Sequence, residues 1–343
     1  MFKILGSSDP KYLAATDLLI GDMSNINYEF LLFDRPIVLL ANDWIYNNFP
    51  DIGIKTGIDE INSAIVDSLS NPDKYKSSRK FWLNRTIDHS EGDASKKFID
   101  IAVVKSGLEN PSFKIIHGNN LVRKTNLLPL VEEIHSRGFD VDFIAGKRKF
   151  SSNSNTIIIG AHFIDLPPSI PGYKVHIDHD LKGVATANLE YAIWDYKRNE
   201  YFPHIDLHIV TGKAGEKRTK LVLGPLADRT IVGGYPKGDH LLKYNTEKNK
   251  NLIYDKLGLQ KNIPLVTYAP AGRASLMKPG GSLNKNVILK LKEIAVKEKF
   301  HVLIKVKYDH SIKRRAIDLL KSTYIFQKRI NDDGSRWQSL FDD

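Results

Sequence analysis

The chain has 343 residues, enough for two domains and a sizeable core, with the 42% hydrophobic and 26% charged content of a soluble globular protein. No apolar run reaches the length of a membrane span, and the absence of cysteine excludes disulfides and thiolate metal sites. The net charge of +10 suits an anionic partner, whether phosphate polymer, nucleotide, anionic lipid surface or nucleic acid, and equally suits a solvated basic surface.

In chain order, the opening MFKILGSSDPKYL lacks a long apolar core and a cleavage site, which favours a cytoplasmic location. Residues 2–5 read as a short strand and 9–16 as a short helix. The next stretch, DLLIGDMSNINYEFLLFDRPIVLL at 17–40, organises the rest. Leu18, Leu19 and Ile20 suit a strand buried on both faces. Gly21 and Asp22 end it. Ser24 and Asn25 are N-cap residue types, and a helical pattern continues through Ile26, Phe30 and Phe33. Pro36 opens a second apolar run, Ile37 to Leu40. A polar turn between a buried strand and a helix N-terminus is where open parallel sheets bind anions. Ser24 and Asn25 would aim hydroxyl, amide and backbone N–H groups at a phosphate. The same pattern also suits an ordinary capped helix in any α/β protein.

Helical patterns follow at 59–69, 71–84 and 93–107, the second started by Asn71-Pro72-Asp73. A boundary falls at 107–112, where Gly, Asn and Pro come together. At Phe113 a new α/β unit begins: strand 113–117, the turn Gly118-Asn119-Asn120, a helix from Leu127 to Ser136, Gly138, and a strand at 141–145. Further strands read at 156–160, 174–178, 206–211, 220–223 and 230–233, with 211–220 as a basic loop. A helix around 249–257 leads to a strand at 264–269. A helix at 283–299, a strand at 301–306, a helix at 311–321, a strand at 324–328 and a helix start at 335–341 complete the pattern.

The 17–40 stretch resembles the signature of the CDP-glycerol glycerophosphotransferases, the teichoic-acid polymerase and primase family. That pattern runs roughly D-[LI]-L-I-T-D-Y-S-S-x-x-F-D-[YF]-x-x-x-[DN]-[KR]-P-[IV]. Asp17, Leu18, Leu19, Ile20, Asp22, Ser24, Phe30, Asp34, Arg35, Pro36 and Ile37 fall in register without a gap. Gly21 stands where Thr is usual, Met23 for Tyr, Asn25 for the second Ser and Glu29 for Asp. Three weaker stretches also resemble the family. Glu91, Gly92, Asp93, Ala94, Ser95 and Lys97 resemble a D-G-x-A-S-x-R segment that opens a closing helix. Gly234, Tyr235, Pro236 and Asp239 resemble the G-Y-P-R-x-D hinge between domains, with Lys237 for Arg. Tyr268 to Arg273 resemble Y-A-P-T-W-R.

The resemblance implies transfer of glycerol phosphate from a CDP-activated donor to a phosphate-containing cell-envelope polymer or lipid-linked acceptor. It also implies a place in the cytoplasm or on the inner face of the cell membrane, and no cofactor. Such a transfer needs diphosphate charge stabilisation and a base for the acceptor hydroxyl. For the first, the candidates are Asp22, Ser24, Asn25, Tyr268, Arg273, Lys305 and Lys307. Arg273 is a fork donor suited to phosphate oxygens, or else a surface arginine. Lys305 matches the lysine of the family's K-x-H-P segment; Lys307 stands where the family has His. For the base, Val175–Gly183 resembles the segment that carries the family's catalytic His. His179 aligns best if Asp180 replaces Gly, and His176 is the alternative. Asp178 and Asp180 are placed to orient the imidazole. Either His also suits a structural strand-end hydrogen bond, and His204 and His208, flanking Asp206, read as structural. Metal-ligand spacing and a Walker-type loop are absent, and a nucleic-acid role has net charge alone behind it.

The implied fold is α/β, with two Rossmann-like domains facing across a cleft in the glycosyltransferase-B arrangement and parallel sheets flanked by helices. The order of the pieces is unusual, because the D-Y-S-S half comes first. The chain is therefore either a permuted enzyme or a piece of a tandem array. The expected domains are 1–108 and 237–343, halves of one nucleotide-binding domain, with 113–235 as a Rossmann-like acceptor domain. In a sheet ordered 3-2-1-4-5-6, the strand at 264–269 is first and that at 17–22 fourth, so they should pair at the centre. Strands 2–5 and 324–328 would then compete for one edge. Rival readings are a nucleotide-sugar glycosyltransferase or epimerase of the same fold, and a non-catalytic remnant.

Overall fold

The computed structural model describes residues 2–5, 9–22, 24–117, 121–145, 150–161, 165–178, 181, 204–222, 224–270 and 285–305. The described chain divides into two compact units. One takes the residues up to Arg79 and from Tyr244 onward; the other is Lys80–Lys243.

The first unit is built on a six-stranded sheet. Its strands are β1 (Phe2–Leu5), β2 (Leu18–Gly21), β3 (Ile37–Leu40), β4 (Ile54–Thr56), β11 (Leu265–Tyr268) and β12 (His301–Lys305). Their order is β1-β12-β11-β2-β3-β4, with every pair parallel. Counted from β11, this is 3-2-1-4-5-6. The centre is the β11–β2 pair, with Val266 opposite Leu18 and Tyr268 opposite Ile20. The strands are apolar on both faces because helices cover both. On one face Leu18, Ile20, Val38, Val266, Val302 and Ile304 form a core with Ile61, Ala64 and Ile65 of the Ile61–Ser70 helix and Val287, Leu291 and Ile294 of the Lys285–Lys297 helix. On the other, Leu265 and Leu303 pack with Tyr12 and Ala15 and with Ile253, Tyr254 and Leu257 of the Glu247–Leu257 helix. β1 occupies the edge beside β12; the 324–328 strand expected to compete for it lies outside the described residues, as do the 311–321 and 335–341 helices.

The second unit holds β5 (Ser112–Ile116), β6 (Val141–Ile144), β7 (Thr156–Gly160), β8 (Tyr173–Ile177), β9 (Leu207–Val210) and β10 (Thr230–Val232). The order is β10-β9-β8-β7-β5-β6, all parallel, so the direction of strand addition reverses at β5. Phe98, Ile99 and Ala102 of the Ala94–Ser106 helix join Phe113, Ile115, Leu127, Ile157, Val175 and Ile209 in its core.

That helix moves the expected boundary. The break lies at 79/80, inside the Lys76–Thr86 helix, and not at 108, because the 94–106 helix buries its apolar face against the second sheet. The other boundary is 243/244 and not 237. Pro236 starts a helix, Pro236–Lys243, with Pro inside its first turn. Two further expectations are corrected. The strand expected at 220–223 and the basic loop before it are one helix, Lys213–Val222, helped by a Glu216–Lys220 pair at i,i+4 and 2.9 Å. The helices Asp43–Asn48 and the short strand β4 fall in a stretch where no element was expected.

Candidate functional site

At the C-terminal end of β2 the chain turns through Asp22 and Ser24 into the helix Ile26–Phe30. Ala269 N–H donates to Ile20 O at 2.9 Å, so the segment leaving β11 runs beside this turn at the centre of the sheet. That is where the order 3-2-1-4-5-6 changes direction and where open α/β sheets bind ligands. Ser24 and Asn25 are half-buried, whereas Asp22 is 5% exposed. The expected capping is not made. Asn25 occupies the N-cap position with helical dihedrals (φ −56°, ψ −26°), and its side chain makes no cap hydrogen bond. The helix is five residues long and passes into a 3-10 turn at Leu31–Phe33, so little dipole stands behind the turn. The group that secures the turn was not singled out from the sequence. It is Asn27, fully buried, whose Nδ2 donates to Asp22 O. Its signal was an amide on the apolar face of a short helix.

Tyr268, a donor-binding candidate, is fully buried within the sheet's core cluster. Lys305 ends β12, paired in register with Leu5 and one strand away from β11. Arg273 and Lys307 lie outside the described residues.

The signature's other polar positions lie at the opposite, N-terminal ends of the strands. Asp17 Oδ1 accepts from Lys250 Nζ at 2.6 Å; its Oδ2 accepts from the Tyr254 hydroxyl at 3.0 Å and from Leu265 N–H at 2.9 Å. Burial, with Asp17 beside it, pushes the Tyr254 pKa up and keeps that hydroxyl a donor. Arg35 donates to Ala14 O at 2.7 Å, Thr16 O at 2.6 Å and Asn245 Oδ1 at 2.7 Å. Asp34, left-handed at φ 49°, accepts from Arg79 Nε at 2.9 Å. Asp17 and Arg35 thus tie the first segment of this unit to its second, at Asn245, Lys250, Tyr254 and Leu265.

In the second unit, Asp239 of the GYPKGD stretch caps the 94–106 helix. Its carboxylate accepts from Ala94 N–H at 3.1 Å and Ser95 N–H at 2.7 Å. Gly234 has φ +83°, and a Cβ there would fall 2.8 Å from Asp88 O, so the position needs glycine. Tyr235 is buried and Pro236 opens the next helix. The four residues expected as a hinge thus form a packed corner of this unit.

Residues 7–103 and 178–332 match the family model of CDP-glycerol:poly(glycerophosphate) glycerophosphotransferases. The chain belongs to this family. Both the 17–40 signature and the GYPKGD and YAPAGR stretches fall inside the matched segments. Two parallel sheets flanked by helices agree with the glycosyltransferase-like class that the family implies. No curated protein and no solved structure matches the chain. As a glycerophosphotransferase-family member the chain is a transferase of that general type.

Of the candidate bases in this family member, His179 and Asp180 lie outside the described residues. His176 lies in β8 and is 5% exposed; its Nδ1 is 2.8 Å from Nδ1 of His208 on β9, with the rings stacked. One nitrogen of the pair must donate and the other accept. This mutual bond and burial tie His176 to the neighbouring strand β9. Among the described residues, no group of three or more His, Asp or Glu is arranged to hold a metal ion. No described helix is long and apolar enough to cross a membrane.

The histidine pair gives the second unit a pH dependence. Burial, with Arg218 adding to it and Asp178 opposing, pushes His208 down from 6.5 to about 4. As pH falls below 6.5 the unfolded chain takes up a proton there, while folded His208 stays neutral until about pH 4. Stability is therefore complete above pH 6.5 and falls between these values, by about 3 kcal/mol for one such group. Urea melts at pH 7.5 and 4.5 should show this loss, and His208→Gln should flatten it. An unchanged pH dependence in that variant would assign the loss elsewhere.

Proposed function

We propose that the chain transfers glycerol phosphate, or a similar polyol phosphate, from a CDP-activated donor to a phosphate-containing cell-envelope acceptor. The acceptor hydroxyl attacks the distal phosphorus of the donor, the bond to the bridging oxygen breaks, and CMP leaves. The observation that carries this reading is the accessible Ser24–Asn25 turn beside the β11 end, at the centre of a 3-2-1-4-5-6 sheet in a chain of this family. Ser24 and Asn25 are assigned to the diphosphate, together with Lys305, Arg273 and Lys307. His179 is assigned as the base that takes the hydroxyl proton. A net charge of +10 favours an anionic polymer or lipid-linked acceptor, at the inner face of the membrane.

Calorimetric titration with CDP-glycerol, CMP and UDP-sugars tests the donor. CDP-selective binding is the expected result. UDP-selective binding would point to a nucleotide-sugar enzyme of the same fold, and no binding to a non-catalytic remnant. In the same titration, Ser24→Ala with Asn25→Ala should weaken CDP-glycerol by roughly 1–3 kcal/mol, the scale of lost charge-assisted hydrogen bonds. Unchanged affinity in a folded double variant would remove this turn from the site.

A further inference from the structure

Asn27 holds both carbonyls that flank the turn. Its backbone N–H donates to Ser24 O at 3.2 Å, and its side-chain Nδ2 donates to Asp22 O. Its Oδ1 is buried without a hydrogen-bond partner and is turned onto the bare Cα of Gly21. A Cβ added at Gly21 would overlap that oxygen and fall 2.8 Å from Asn27 Cγ and 3.1 Å from Nδ2. The whole carboxamide, not one atom of it, stands where a side chain at position 21 would be. Rotating it away would break the bond to Asp22 O. Asn27 is completely buried, and Tyr28 (0% exposed) and Glu29 (7%) after it are buried too. The two positions are therefore physically exclusive: glycine with asparagine, or a side chain at 21 with a smaller residue at 27.

We propose that Asn27 is a positioning residue of the donor-phosphate turn, filling the place of a side chain at position 21 and fixing the carbonyls on either side of Ser24. Its effect on the donor acts through Ser24 and Asn25; Asn27 itself touches no ligand. A buried amide with an unsatisfied oxygen costs stability, and the bond to Asp22 O is what it gives in return. This proposal rests on the donor reading given above.

The test is a cycle of variants, each titrated with CDP-glycerol at a temperature where circular dichroism shows it folded. Asn27→Ala should weaken binding about tenfold, the scale of one lost buried hydrogen bond. Gly21→Thr should weaken it at least as much. The double variant Gly21→Thr/Asn27→Ala, in which the threonine side chain fills the place of the lost carboxamide, should bind tighter than either single change. A role in stability alone would lower the melting temperatures without this reversal in affinity. Should the threonine double variant not fold, Gly21→Ala/Asn27→Gly carries the same comparison. Parent-like binding by Asn27→Ala overturns the proposal, and so does a folded double variant weaker than both singles. If Ser24→Ala/Asn25→Ala loses affinity while Asn27→Ala does not, the donor site stands and the positioning role falls. If neither loses affinity, the donor reading of this turn falls with it.

Discussion

Replacing His179 by alanine is expected to slow transfer by about 10²–10⁴-fold, the range that a positioned general base contributes, with donor affinity nearly unchanged. The acceptor hydroxyl is a poor nucleophile until its proton has somewhere to go. Imidazole, with its pKa near neutrality, is the side chain suited to take it. In the sequence His179 comes two residues after the end of β8. Asp178 precedes it, with its N–H bound to Ile209 O at 2.9 Å. His176 lies on the strand itself and shares its Nδ1 contact with His208, so His176→Ala should lower stability and leave the chemistry of the folded fraction intact. Steady-state transfer from CDP-glycerol, with titration of the donor alongside, separates the two. A fully active, folded His179→Ala protein would end the base assignment.

Asp34→Ala should destabilise the first unit by about 2–4 kcal/mol. Arg79 is 2% exposed and its guanidinium has three acceptors: Asp34 Oδ1 at 2.9 Å, Asp34 O at 3.1 Å and Pro72 O at 3.0 Å. Removing the carboxylate leaves a buried cation with backbone carbonyls alone, the costly way to break an ion pair. Because the Asp34 side chain is 43% exposed, solvent screens the pair and the loss is smaller than for a fully enclosed one. Alanine also tolerates φ 49° poorly, so Asp34→Asn, which accepts that conformation, isolates the charge from the backbone effect. Urea midpoints of the three proteins measure both parts. A loss of less than about 0.5 kcal/mol for Asp34→Ala would show that the buried arginine finds other partners.

The apolar runs were the readable part of the fold. Ile37–Leu40 and Thr156–Gly160 agree with their expected bounds, because short β-branched runs between turn residues leave little choice. The 211–223 stretch was misread because its polar, lysine-rich helix shows few apolar residues to set a period; Ala214 and Thr219 carry its buried side. The Pro236–Lys243 helix carried a legible start in Pro236, but the motif match drew attention to Asp239, whose carboxylate serves another helix. Periodicity does not show such partners at a distance of more than a hundred residues. The candidate turn was legible at Ser24 and Asn25 as polar groups after a buried apolar strand. Asn27 was not, since its role depends on the missing side chain of Gly21, a relation between two positions that neither residue shows alone.

The pairing of β2 with β11 also sets an order of events during synthesis. Leu18 to Gly21 leave the ribosome well before β11 and can find β3 almost at once, through Leu19 opposite Ile37. Their other neighbour, Val266 to Tyr268, does not yet exist, and all of Lys80–Lys243 must be translated first. At ordinary elongation rates of about 5–20 residues per second that is a wait of roughly ten seconds or more. Through that interval the nascent chain carries an open, apolar strand edge, the kind of surface that holding chaperones recognise and that neighbouring nascent chains on a polysome can join. The segment that closes the sheet is made late, so the first unit completes its core after the second has had time to fold.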